Sequence, residues 1–213
     1  MTIFKHKRYF NGVQLCFIGL LFTGLVRASE LSVEVTNSEG KLLKNAVVYL
    51  INEKGSANKS NTTVEIEQKG KQFNPLVTAV QVGTSINFPN HDRVRHHVYS
   101  FSPAKKFELK LYSGVPTNPV LFDQAGTVVL GCNIHDNMLA FIYIVDTPYF
   151  AQTETSGIAK LSNIPEGEYQ LKVWHYALQQ ENIPVEQLIN IKPNQNKLTV
   201  KLEINEASVV TNR

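Results

Sequence analysis

The sequence predicts an all-β protein of the sandwich or barrel type. Short runs rich in Val, Ile, Tyr and Phe recur between Gly, Pro and Asn turn signals, and no stretch carries the apolar period of an amphipathic helix of ordinary length. Once an expected export segment is set aside, about 185 residues remain, which suits either one large β domain or two small ones.

In chain order, residues 1–28 come first. Lys5, Lys7 and Arg8 precede an apolar stretch over 13–26, and Val26-Arg27-Ala28 before Ser29 offers a small-residue cleavage site, the pattern of a secretory signal peptide. The apolar run is short for a membrane span, and an uncleaved anchor is the alternative. Cleavage would place the chain in the periplasm, with no stable membrane insertion, and would remove Cys16. It would also reset the charge: the full chain is +3, but the segment holds four basic residues and no acid, leaving 17 basic against 18 acidic residues. A near-neutral chain without a Lys/Arg run gives no support for nucleic-acid or membrane-surface binding.

The predicted strands follow at 31–35 and 46–51, then at 77–82, 85–88, 97–101 and 107–112. Further runs lie at 120–122, 127–130 and 139–145, and the last at 169–174 and 197–204. Residues 53–63, rich in Asn, Lys and Ser, read as a solvated linker, and 206–213 as a loose tail. No GxSxG elbow, HExxH pair or Gly-rich phosphate loop occurs, so no enzyme is expected.

Beyond the export segment the chain keeps one cysteine and one methionine, and both fall in Cys132-Asn133-Ile134-His135-Asp136-Asn137-Met138. A thiolate, an imidazole and a thioether at CxxHxxM spacing are three donors of a His₂Cys copper site with a weak axial methionine; the fourth should be an upstream histidine. A lone exported thiol also needs a protected use, which metal ligation provides. Zinc competes for Cys and His, but a thioether is a poor zinc ligand, which favours copper.

Three longer stretches share a likeness. Phe73-Asn74-Pro75 followed by Val80-Gln81-Val82-Gly83-Thr84-Ser85-Ile86-Asn87-Phe88-Pro89-Asn90 has the form strand, Gly turn, strand. Asn90-His91-Asp92-Arg93-Val94-Arg95-His96-His97-Val98 carries the upstream histidines, and Phe122-Asp123-Gln124-Ala125-Gly126-Thr127-Val128-Val129-Leu130-Gly131-Cys132 leads into the ligand loop. Over about 65–146 the chain resembles the cupredoxins (plastocyanins, pseudoazurins and amicyanins). The resemblance implies a Greek-key β-sandwich over 62–147 and one type 1 copper ion held by His96, Cys132, His135 and Met138. It further implies single-electron exchange with redox partner proteins, with the edge of His135 as the port and Leu139 and Ala140 as docking surface. The family's asparagine after the first ligand is His97 here, so His97 either supplies a hydrogen bond in its place or competes for the metal. Consecutive strand residues face opposite ways, so at most one of His96 and His97 faces the site, and His96 is favoured. His91 could reach the metal through the loop, but reads rather as a solvated loop histidine or as a hydrogen-bond partner of a ligand. Copper sequestration or delivery is the alternative to electron transfer, and a scaffold module that has lost its copper is a third reading.

A second likeness covers Gly157-Ile158-Ala159-Lys160-Leu161-Ser162-Asn163-Ile164-Pro165-Glu166-Gly167-Glu168-Tyr169-Gln170-Leu171-Lys172-Val173-Trp174, with 31–35 and 45–50 as matching opening strands. These resemble the carboxypeptidase-regulatory, transthyretin-like sandwich family. The implied organisation is a second small β-sandwich made of 29–52 and 152–205, discontinuous, with the cupredoxin unit inserted between them; the alternative gives the first two strands to the cupredoxin. Trp174 beside His175 reads as a core residue next to an edge histidine and receives no site role.

Overall fold

A computed structural model describes residues 29–52, 59–179, 183–193 and 195–209. The expected export segment with Cys16, residues 53–58 of the expected linker and residues 210–213 of the expected tail lie outside the described residues. Among the described residues the protein is all-β, with a single 3₁₀ turn at Glu206–Ser208.

Strands β1 (Ser29–Asn37) and β2 (Val47–Ile51) open the chain. A middle group follows: β3 (Thr63–Glu65), β4 (Glu67–Gln68), β5 (Phe73–Asn74), β6 (Val77–Gln81), β7 (Thr84–Asn87), β8 (His96–Ser100), β9 (Phe107–Tyr112), β10 (Val120–Phe122), β11 (Gly126–Cys132) and β12 (Leu139–Val145). The last are β13 (Phe150–Gln152), β14 (Ile158–Ile164), β15 (Gly167–Trp174), β16 (Val185–Ile191) and β17 (Gln195–Leu202).

The middle strands form a five-stranded sheet, β6-β12-β11-β8-β9, opposed by β10-β7-β3, with β4 and β5 as a small separate pair. The outer strands form β14-β1-β17 and β13-β2-β15-β16. In the middle group, alternate residues such as Val98, Phe122, Val128, Leu130, Ala140, Ile142 and Ile144 bury one core. A second core gathers Leu31, Val33, Val35, Val48, Leu50, Leu161, Leu171, Val173 and Trp174 from the outer strands. The chain crosses from β6 in one sheet to β7 in the other through a turn at Val82-Gly83, where Gly83 has φ +96° and a Cβ would collide with Ser60 O, so only glycine fits.

Strand β12 serves both cores. Ala140, Ile142 and Ile144 point into the first, while Tyr143 and Val145 belong to the second and Phe141 packs against it. On that second face Tyr143 stacks on Trp174 with ring centroids 4.4 Å apart, and Phe141 stacks on Tyr176 at 4.9 Å. The Tyr49 and Tyr143 hydroxyls lie 2.9 Å apart. Such stacked pairs add about 0.5–1.5 kcal/mol each beyond the area they bury.

Strands β3, β4, β5, β13, β14 and β16 are not among the runs expected from sequence. The first three are two or three residues long and pair by register rather than by an apolar pattern. Strand β16 is an edge strand exposed along most of its length, so it shows no burial period. Thr63, expected at the end of the linker, begins β3.

Candidate metal centre

The site is built where β8 begins and β11 ends. The loop before β8 is fixed by two side chains. Asn90 is buried, donates through Nδ2 to Val94 O and Tyr112 O, both at 2.9 Å, and accepts the Asp92 N–H at 2.9 Å. Asp92 in turn accepts N–H bonds from Gly70 at 2.7 Å and Lys71 at 2.8 Å, tying this loop to the turn between β4 and β5. Such local side-chain caps supply the partners that loop backbone lacks. His96, first residue of β8, is then fully buried.

Strands β8 and β11 pair antiparallel through Gly131↔Tyr99 and Cys132↔Val98, which brings Cys132 beside His96. Beyond Cys132 the chain turns: Met138 N–H donates to His135 O at 3.0 Å before β12 begins. Asn133 N–H reaches His97 O at 3.4 Å, a long bond that links the segment of His96 to that of Cys132.

The side chains of His96, Cys132 and His135 converge, each offering one donor atom, all within 4.8 Å of one another. Cys132 Sγ lies 3.9 Å from His96 Nδ1 and 3.9 Å from His135 Nδ1, and the two imidazole rings are 5.0 Å apart. Cys132 is the free cysteine among the described residues and is buried. Met138 is buried in the same core as Cys132. Metal bonds of about 2.3 Å to sulfur and about 2.05 Å to nitrogen separate the two donors by about 3.8 Å at a trigonal angle and about 3.6 Å at a tetrahedral one. The observed spacing of 3.9 Å is close to both values and suits donors that share one metal ion. The cluster could hold a copper ion.

The remaining nitrogen of His96 is also committed. Nε2 lies 2.8 Å from Asp92 Oδ2, so the neutral ring carries its proton on Nε2 and leaves the Nδ1 lone pair toward Cys132. Partial burial disfavours the charge on Asp92, but the N–H donors of Lys71 and Gly70 and the contact with His96 outweigh it and hold the carboxyl below its usual value. Close by, burial pushes the Tyr112 phenol up to about 12; the Gln68 hydrogen bond opposes this and the Cys132 sulfur adds to it.

The other two histidines stand apart from the cluster. His97 turns to the opposite side of β8, with Nε2 2.9 Å from Glu108 Oε1 in an ion-pair contact that lacks hydrogen-bond alignment. His91 is exposed and 3.9 Å from Glu67 Oε2. The expected docking surface needs correction at one residue: Leu139 is 37% exposed, but Ala140 is fully buried because it points into the first core, and Ile134, at 47%, is the exposed apolar residue of the loop. Sequence reasoning also passed over Asp92, whose only local signal is a carboxylate four residues before His96, and over Tyr99 and Gly131, which meet only through strand register.

No protein family model and no curated protein sequence matches the chain. Among solved structures, it is similar to the copper-containing nitrite reductase of Thermus scotoductus SA-01, at 23% identity and a TM-score of 0.37, over 39% of this chain and 22% of that one. The match therefore spans about a fifth of that enzyme's length. A reduced Cu(I) form of an amicyanin variant matches 46% of this chain and 98% of its own at 16% identity, with a TM-score of 0.36. A purple cupredoxin from Nitrosopumilus maritimus matches 38% of this chain and 99% of its own at 19% identity, with a TM-score of 0.31.

Proposed function

We propose that this protein is a type 1 copper protein that passes single electrons between redox partner proteins. The observation that carries the reading is the pair of 3.9 Å contacts from Cys132 Sγ to the Nδ1 atoms of His96 and His135, with His96 Nε2 occupied by Asp92. His96, Cys132 and His135 would hold the ion, with Met138 as the weak fourth donor, and bound copper would supply a one-electron Cu(II)/Cu(I) couple. The chain does the rest. The β8–β11 pairing sets the donor spacing, Asp92 fixes the His96 tautomer, and the surrounding core keeps water from the thiolate.

In this reading residues 62–147 form the copper-binding domain, and residues 29–52 with 152–205 form a supporting sandwich. His135, half-buried at the loop, is the electron port, and the exposed Ile134 and Leu139 beside it give a small apolar docking surface. A small surface suits partners that must part quickly. Residues 1–28 direct export to the periplasm. Among the described residues no helix is long and apolar enough to cross a membrane.

The test is an absorption and electron paramagnetic resonance spectrum of the copper-loaded protein, followed by voltammetry. A thiolate-to-copper charge-transfer band with a reversible one-electron wave is expected. Tight copper binding with neither would point instead to sequestration or delivery.

A further inference from the structure

Gly131 stands at the sixth position of a seven-residue strand, directly before Cys132. Glycine inside a strand costs about 0.5–1 kcal/mol relative to alanine and marks a bend, a bulge or a close approach. Gly131 is not among the residues with positive φ, so its backbone conformation does not require glycine. A close approach does. A Cβ built at Gly131 would lie 2.8 Å from both Cζ and Oη of Tyr99 and 3.1 Å from its Cε2.

Facing alternates along both strands. Val98, Leu130 and Cys132 are buried in the first core, so Tyr99 and Gly131 look to the other side of the sheet. Tyr99 therefore lies across the backbone that carries Cys132, on the face away from the sulfur. The ring is the middle of a row: its centroid is 6.1 Å from His97 and 5.1 Å from Phe101, and His97 Nε2 lies 2.9 Å from Glu108 Oε1. This row crosses the place where β8 and β11 pair through only two residue pairs, and where β8 is irregular against β9 between His96 and Val98.

We propose that Tyr99 is a positioning residue for Cys132. Its ring grips the end of β11 from outside while the core grips it from inside, and so sets the separation of β8 and β11 on which the sulfur-to-imidazole spacing depends. Gly131 is the seat that lets the ring reach the backbone, a cross-strand aromatic-on-glycine contact. The proposal rests on the copper reading only for its consequence at the metal; the clamp on the thiol stands without metal.

The experiment uses four single variants, Tyr99→Phe, Tyr99→Leu, Tyr99→Ala and Gly131→Ala, and the Tyr99→Ala/Gly131→Ala double variant. In the metal-free protein, alkylation of Cys132 by iodoacetamide under native conditions is expected to speed by about tenfold or more in Tyr99→Ala and Gly131→Ala, and to match the parent in Tyr99→Phe. Urea unfolding of each variant identifies any part of the rate that comes from global unfolding. If Tyr99→Ala does not fold, Tyr99→Leu and Gly131→Ala carry the comparison. Because both substitutions remove one contact, the double variant should react no faster than about the faster single.

With copper bound, Tyr99→Leu, Tyr99→Ala and Gly131→Ala should show altered hyperfine splitting and absorption-band ratios, which a loss of stability alone would not change, and Tyr99→Phe should match the parent. Folded Tyr99→Leu and Gly131→Ala proteins with thiol rates within about twofold of the parent would overturn the proposal. A parent protein without a thiolate-to-copper band would sink the copper reading, while the thiol rates would still decide the clamp.

Discussion

Replacing Asp92 with asparagine tests whether the copper site depends on a carboxylate that touches no metal. Asp92 Oδ2 faces both His96 Nε2 and the Lys71 N–H at 2.8 Å, and Oδ1 accepts the Gly70 N–H at 2.7 Å. A carboxamide has one oxygen. If that oxygen faces His96 and Lys71, the amide nitrogen opposes the Gly70 N–H, donor against donor; turned the other way, it opposes His96 and Lys71. Hydrogen bonds to charged groups contribute about 1.5–3 kcal/mol and neutral ones about 0.5–1.5, so Asp92→Asn should cost the metal-free protein about 1–2 kcal/mol, given that Gly70 can turn to water. The larger effect should appear at the metal. Loss of a partner that orients a ligating histidine typically lowers affinity about 10–100-fold, equivalent to about 1.4–2.7 kcal/mol. Titration against a competing chelator measures that affinity, and urea unfolding of the metal-free protein measures the other cost. An Asn variant that binds copper within about threefold of the parent would refute the claim that the site depends on the Asp92 carboxylate rather than on any oxygen that accepts the His96 Nε2–H.

Other substitutions divide the site from its support. Met138→Leu conserves volume and should cost less than about 1.5 kcal/mol in a urea melt while changing the copper absorption spectrum, because the thioether is gone but the core is filled. Trp174→Ala, in the second core, should cost about 3–5 kcal/mol of stability and leave the copper spectrum of the protein that remains folded unchanged. Copper should stabilise the fold by about 2.7 kcal/mol at a free concentration of 100 times its Kd, visible as a rise in Tm; none is expected in Cys132→Ser. Burial holds the Tyr49 and Tyr143 phenols above their usual value. Below about pH 10 neither the folded nor the unfolded chain has lost these protons and stability is full; above it the unfolded chain loses protons that the folded one keeps. Urea midpoints should therefore fall between about pH 9 and about pH 11, by at most about 1.4 kcal/mol per pH unit for each phenol.

What could be read from the sequence follows the range of the interactions. Cys132, His135 and Met138 are three residues apart, so one tight turn gathers them and their spacing alone suggested a metal site. His96 is 36 residues from Cys132 and was reached by resemblance; nothing local marks it above His97, and only the facing of β8 separates the buried ring from the one paired with Glu108. Asp92 is close to His96 in sequence, yet its role depends on the Asn90 turn and on donors from Gly70 and Lys71, which no pattern of residue types displays. Gly131 against Tyr99 is harder still. Their contact depends on the register of two strands, and a shift of one residue would put either on the opposite face.

The run Leu139-Ala140-Phe141-Ile142-Tyr143-Ile144-Val145 shows the limit of periodicity most directly. An unbroken apolar stretch predicts a strand buried on both faces, but it does not say what covers each face. In the structure Ala140, Ile142 and Ile144 complete the core behind the Cys132 sulfur, while Phe141 and Tyr143 meet Tyr176 and Trp174 of the other core. The second core thus closes the outer face of the five-stranded sheet at β12. One strand over, at β11, Val129 is exposed and that cover is gone. The backbone leading into Cys132 must then be held from outside by something the sheet itself provides. The row of His97, Tyr99 and Phe101 stands at that position, and it explains why the residue before the ligand is the one without a side chain.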